Sequence, residues 1–595
     1  MTAGRPPRRC LATAPPRRSA ALLLVLVAVA MWLTGCVTVP TKGPIEKVEG
    51  QQPACTNCVN IEVSPPGPGD QPLQIVTGYL RATSNYQPNY SVARQFLTTA
   101  AAQSWSPEDG VSIYTGTLAG NGNSVVLDGT LIGALARDRT YSARDERLRV
   151  DFGLVQENGE WRIGTPPPGL MVEQYSFSTF YQDYNVYFAG TDGVLVPDPI
   201  YLPSLRNQAS IASVLTKALL SGPSTWLKPV VTSAIPAGTA LSVDAVPVVD
   251  GIAEVALGEQ VLALNESQRS VMAAQVLYTL GQVPGIKGVV FTVNQQPLRV
   301  PGGDETTFSV TLDAVPPEIE PLPFTAGEQL YLARGDGVAV LDRVNTPGEI
   351  RAIGGELGSG RIAVESLAVS VSGTDLAVVT DGGRTLRRAA SNGDNLTTVL
   401  DGVSDLRRPQ FSRFGELWAV GQQGDRQRLW IFDDGRAQPV DLSLPAGFSV
   451  TAFKISPDGV RIAVIRTRGR TAELGVARIS RADRITINGW RSIDTTQSNA
   501  SEITRLADVA WSEPTELEVL GAATEAAQLT VFGISQDASR IAPDTEPITW
   551  DAATLTVQMR NQAAVVVGRR GQAWHNDSGQ WQPLVDGVRA AAYPG

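Results

Sequence analysis

Four cysteines and one histidine are the whole thiol and imidazole stock of this 595-residue chain, so the chemistry open to it depends on their neighbours. Cys36 closes the stretch Leu33-Thr34-Gly35-Cys36. Upstream lie Arg5, Arg8, Arg9, Arg17 and Arg18, then an apolar run from Ala20 to Leu33. That run is short for a bilayer helix, which needs about 20 apolar residues, and it reads as an export signal. Two small residues ahead of the cysteine make a lipobox. The expected chemistry is transfer of a diacylglycerol to the Cys36 thiol, removal of the leader, and a lipid-bearing cysteine as the first mature residue. Cys10 leaves with the leader. Cys55 and Cys58 remain as Cys-x-x-Cys in a Pro-rich segment with no strand before it and no helix after it, which suits a small structural disulfide outside the membrane better than a redox pair. Zinc would need further ligands, and none is close.

The single histidine, His575, sits in the turn-like Trp574-His575-Asn576-Asp577 and reads as a solvated loop residue. A histidine triad would rest on it alone, and a multi-histidine metal site is excluded. Neither Gly-x-Ser-x-Gly nor a Gly-x-x-x-x-Gly-Lys phosphate loop occurs. The glycines from Gly354 to Gly360 read as a connection between repeats, and acids such as Asp433, Asp434 and Asp458 precede glycines, as turn residues do. No catalytic, metal-binding or cofactor-binding residue is therefore expected, and the chain is read as a non-enzyme. Seven tryptophans (Trp418, Trp430, Trp490, Trp511, Trp550, Trp574, Trp581) accompany Arg407, Arg408, Arg426, Arg428, Arg466, Arg468 and Arg470 in the C-terminal half. Aromatics with arginine mark protein interfaces, although most of these tryptophans are expected to fill a core.

Charge narrows the partners. The formal net charge is −10, and losing the five leader arginines takes it near −15. Nucleic acid demands clustered Lys and Arg, and anionic lipid would repel such a chain, so membrane contact is assigned to the lipid on Cys36. High Gly and Pro content favours a turn-rich, strand-rich architecture.

The elements fall into five stretches: a signal peptide (1–35), a Pro-rich tether (36–71), an α+β unit (72–172), a second α+β unit (173–305) and a repeat-built all-β unit (306–595). In the first folded unit, helical spacing at Leu73, Val76, Thr77 and Leu80, and at Val92, Phe96 and Leu97, is followed by alternation at Leu148, Val150, Phe152 and Leu154 and a turn at Glu157-Asn158-Gly159. In the second, one helix carries Ile211, Val214, Leu215, Ala218 and Leu219 and another, starting near Asn265 or Ser267, carries Ala273, Val276, Leu277 and Leu280. Between them Leu241, Val243 and Ala245 predict one arm of a hairpin turning at Asp250-Gly251. In the third, Ser370-Val371-Ser372-Gly373, Ser412-Arg413-Phe414-Gly415 and Ser456-Pro457-Asp458-Gly459 each precede an apolar strand, and Trp511 to Thr515 is a degenerate copy. The spacing is close to one four-stranded propeller blade and predicts about six blades.

These motifs carry resemblances. The helix-and-sheet unit ending in Asn158-Gly159-Glu160-Trp161-Arg162-Ile163 resembles the nuclear-transport-factor-2-like cone. Leu220-Ser221-Gly222-Pro223, Pro236-Ala237-Gly238-Thr239 and Tyr278-Thr279-Leu280 resemble the GerMN domain of exported bacterial proteins, and the Ser-Pro-Asp-Gly repeat is similar to TolB-like propellers. Together with the lipobox they resemble the LpqB lipoproteins of actinobacteria. That resemblance implies a lipid-anchored protein on the outer face of the cell membrane that associates with the sensor kinase MtrB and modulates MtrA-MtrB signalling in cell-wall homeostasis and division. The alternative is an envelope lipoprotein that binds a ligand or glycan. A hydrolase built on a propeller carboxylate pair is the third reading.

Overall fold

A computed structural model describes residues 63–595, apart from 206, 323–328, 336, 343–348, 434, 441–446, 496–501, 525 and 560–562. Cys36, Cys55 and Cys58 therefore lie outside the described residues.

Pro72 opens the helix Pro72–Ser84, and Gln71 and Gln74 cap it reciprocally. Ile75, Val76, Tyr79 and Leu80 turn inward. With two short helices, Ser91–Gln95 and Thr99–Ser104, this helix covers a sheet of long antiparallel strands, Val111–Asn121, Ser124–Leu135 and Tyr141–Asp151. Leu170–Glu173 joins the same sheet, parallel to its first strand. The alternation expected as one strand through Leu154 is divided in two. Gly153 takes φ +51°, the chain turns there, and Leu154–Glu157 pairs with Glu160–Ile163 as a separate hairpin.

The second unit opens with a hairpin, Tyr181–Ala189 and Leu195–Pro203, that sequence patterning does not reveal. Pro197, Pro199 and Pro203 read as strand breakers, yet all share one parity, so the missing N–H groups fall on one side of a two-stranded ribbon. Two helices follow. Gln208–Ser221 is capped by the Asn207 side chain, and Glu266–Gly281 by a capping box between Asn265 and Gln268. They flank a small sheet in which Ile252–Leu257 runs parallel to Gly288–Val293. Gln275, fully buried, ties helix to hairpin by accepting from Ala234 N (2.7 Å) and donating to the Tyr187 carbonyl (2.8 Å). The arm expected at Leu241, Val243 and Ala245 forms only in part. Leu241 bridges Leu257 and Ser242 N donates to the Ala256 carbonyl (2.9 Å), and Val248–Val249 pairs with the start of Ile252–Leu257, but between them the chain bulges away: Val243 is 57% exposed, and Asp244 turns out to bind Lys217. Pro247 interrupts the would-be ladder just before the paired residues.

The last unit contains six four-stranded sheets, in agreement with the expected propeller. Blades two to six occupy Ser366–Leu400, Ser404–Val440, Ser449–Ile493, Arg505–Pro543 and Ala552–Val585. Blade one is composite: Leu330–Arg334, Gly337–Leu341 and Arg351–Ala352 are completed by Val588–Ala592. Each blade supplies apolar faces that only its neighbours can cover. The glycine-rich stretch around Leu357, which is buried, does connect blades one and two. His575 departs from expectation. It belongs to the strand Ala573–Asp577, opposite Val565 and Gln582, because Trp574 and Trp581 supply the half-buried faces that make this a ladder rather than a turn.

Candidate interaction surface

Antiparallel blades have two ends. The turn between first and second strands lies at one, and the turn between second and third strands at the other. The Ser-x-x-Gly repeats are all of the former kind. Ser456 Oγ accepts from Arg461 N (3.0 Å), Ser370 Oγ accepts from Asp375 N (3.0 Å), and the terminal glycine is left-handed in each turn. At Gly459 a second constraint operates, since a Cβ would meet the Phe414 ring of the adjacent blade at 2.5 Å.

This end is docked against the rest of the chain, all of it part of one compact unit, Glu62–Gly595. Arg461, 1% exposed, donates to Asp458, 0% exposed, and to the Pro197 carbonyl in the proline-bearing hairpin. Val460 packs inside the hydrophobic core of the second unit. In exchange Trp226 packs on a propeller core, donates its indole N–H to the Gly489 carbonyl (2.8 Å), and carries the Arg491 guanidinium 4.5 Å above its ring. Arg413 donates to the carbonyls of Glu318 and Glu320 (both 2.9 Å). Glu416 and Arg481 form a buried bidentate pair; burial alone would raise the Glu416 carboxyl, but the guanidinium holds it below its usual range. The Tyr201 hydroxyl donates to Asp537, whose carboxyl is raised by burial.

The axial channel is filled. Lys454, half-buried, has its ammonium pKa pushed down to about 8 by desolvation and donates to the Gly595 carbonyl (3.2 Å). Arg408 pairs with Asp508, which also accepts from Leu555 N (2.7 Å). The space left beside Lys454 is about 20 Å³, room for a single water. Among the described residues no group of three His, Cys, Asp or Glu converges as a metal site.

The opposite end is open and bears arginine. Arg384, Arg426, Arg468, Arg470, Arg569 and Arg570 stand exposed at four of its hairpin tips. On blade four Arg466 binds Glu473 through two nitrogens (2.9 and 2.7 Å) and lies 4.3 Å over the Trp490 ring. Arg466 and Arg468 both sit 4.7 Å from the Phe448 ring. Aromatic rings pre-ordered by guanidinium stacking, rimmed by exposed arginine, are the composition of a protein-binding hot spot.

The structure thus divides the residues singled out from sequence. Arg426, Arg466, Arg468, Arg470 and Trp490 gather at the open end, whereas Arg407 pairs with Asp405 and Arg408 is spent in the channel. Trp418, Trp430 and Trp511 are core residues. Trp550, Trp574 and Trp581 are half-buried in a cluster, the first two stacked at 5.2 Å. Sequence reading misses Trp226 and Arg461. The one available signal is an arginine, Arg461, directly ahead of the apolar run Ile462 to Ile465.

Family models match three stretches of the chain: the N-terminal domain of lipoprotein LpqB at residues 65–178, a sporulation and spore germination domain, Germane, at 185–299, and the lipoprotein LpqB beta-propeller domain at 341–594. A lipoprotein LpqB of Cutibacterium acnes is 30% identical over 97% of this chain and 99% of its own length. Its counterpart in Thermobifida fusca is 25% identical over 95% and 97%. Among solved structures, TolB from Acinetobacter baumannii aligns with 56% of this chain and 86% of its own at 14% identity and a TM-score of 0.35, too distant to carry an argument.

Proposed function

The chain belongs to the LpqB lipoprotein family, and from that membership we propose that it is a non-enzymatic accessory protein, held on the outer face of the cell membrane by lipid on Cys36, that binds the sensor kinase MtrB and modulates MtrA-MtrB signalling in cell-wall homeostasis and division. The lipid anchor is consistent with the described residues, in which no helix is long and apolar enough to cross a membrane. The observation that carries the partner reading is the asymmetry of the propeller: one end is consumed by contacts within the chain, and the other presents stacked aromatics and arginine tips to solvent. On a chain of net charge −10 such tips are a local cationic patch that favours an acidic, aromatic-accepting protein surface.

The test is binding of the full chain, in detergent, to the extracytoplasmic domain of the kinase. Saturable micromolar binding lost in Arg468→Glu/Arg470→Glu supports the reading. Absence of binding, or binding indifferent to both charge reversals, removes it. A Cys36→Ser chain should leave the membrane fraction and the detergent phase with its domains still folded.

A further inference from the structure

A cavity of about 260 Å³ lies between the N-terminal unit and the Germane unit, away from the propeller. Its apolar walls come from both units. Val111, Leu135 and Leu170 line one side, and Leu202, Leu205 and Val214 the other. The volume is near the lower limit for ligand pockets, about 300 Å³, and so suits a single ring.

Its polar features converge. Tyr86 and Tyr90 meet edge to face at 5.9 Å, and the Tyr90 and Tyr181 hydroxyls face each other beside the Arg139 guanidinium. Arg139 is half-buried, and its guanidinium makes no hydrogen bond or ion pair among the described residues, in contrast to Arg137 on the same wall, which is committed to Asp109. A half-buried guanidinium with no ion pair of its own favours an anion beside it. Glu108 adds an acceptor for a hydroxyl or amide N–H. The backbone at this spot is also held in an unusual state. Asn89 (φ 54°), Tyr90 (φ 47°) and Arg139 (φ 66°) are all left-handed, and all three line the cavity. Non-glycine residues persist in that region only where surrounding structure enforces it, and they concentrate at ligand clamps.

We propose that this cavity binds a ring-bearing carboxylic acid of monosaccharide size, its carboxylate on Arg139 and its ring against Tyr86 and Tyr90. Sugar acids and aromatic acids share that chemistry. The site is independent of the partner assigned to the propeller.

Titration calorimetry on the full chain in detergent would use three probes: N-acetylmuramic acid, phenylacetate, and the uncharged N-acetylglucosamine. At least one acid should bind saturably, with the neutral sugar weaker by at least about tenfold, the worth of one charge-assisted hydrogen bond. Which acid binds more tightly identifies the ligand class. Arg139→Gln should weaken the acid about tenfold or more, and Arg139→Lys should restore part of it. Should Arg139→Gln fail to fold, Leu205→Trp, which fills the cavity from the opposite wall, should abolish binding instead. No saturable binding of either acid, equal binding of the neutral sugar, or acid binding unchanged in the folded variants would overturn the proposal.

Discussion

The two ends of the propeller use the same residue, arginine, in opposite ways. At the docked end the Arg461 and Arg481 side chains are buried and Arg413 half-buried among carbonyls and carboxylates, and each guanidinium is spent on holding one part of the chain to another. At the open end Arg426, Arg468 and Arg470 reach solvent, and Arg468 lies against the Phe448 ring rather than a carboxylate. Removing one partner of a buried pair strands a charge, whereas removing an exposed one strands nothing. The docked end should therefore answer to substitution in stability and the open end in binding.

The sharpest way to break that contrast is Arg461→Ala, which leaves Asp458 buried and unpaired. Denaturant melts should show a loss of about 3–5 kcal/mol, and the double variant with Asp458→Ala should recover part of it. Next comes Trp226→Ala. It opens a space between Germane unit and propeller, and we expect a loss of roughly 2–3 kcal/mol, below the full core value because the ring is half-buried. Limited proteolysis should detect the loosened junction as new cleavage between the two units.

A smaller effect is tied to pH. Glu516, at the docked end, faces Arg540, Asp537 and Asp183, and its carboxyl is pushed up to about 7 chiefly by burial. Its folded value exceeds the unfolded one, so its contribution is fully present below about 4.5 and is lost as pH rises through about 7. Unfolding free energies from urea melts at pH 5 and pH 8 should differ by on the order of 2 kcal/mol from this group, and Glu516→Gln should narrow the gap. Last and smallest in stability, Arg468→Glu/Arg470→Glu should move the melt by less than about 0.5 kcal/mol. A larger shift would erase the distinction between the ends.

Much of this was readable from local pattern. Blades repeat because the same Ser-x-x-Gly turn recurs, and the helices at 208–221 and 266–281 announce themselves by apolar spacing, the second also by its Asn265 cap. Where reading failed, the deciding partner was distant. Leu241, Val243 and Ala245 alternate like one strand, but only Leu241 meets the neighbouring strand, and Val243 finds solvent. The prolines at 197, 199 and 203 argue against pairing until one sees that a ribbon has a side where no N–H is needed. The interaction surface was half legible: its arginines stood out in composition, but nothing nearby in sequence separates Arg408, half-buried and paired with Asp508, from Arg426 at a tip. The cavity at Arg139 had no signature, since its walls come from segments that meet only in the folded chain.

Blade one closes late. Its strand Leu330–Arg334 waits for Val588–Ala592, with five blades of sequence between the two. A chain that emerges across a membrane amino end first would carry an unzipped flank until that stretch arrives, and an unpaired strand flank recruits stray partners. Passage through the export channel and sealing of the ring would then finish as one event, and whatever guards the newborn chain must stay with it until that moment.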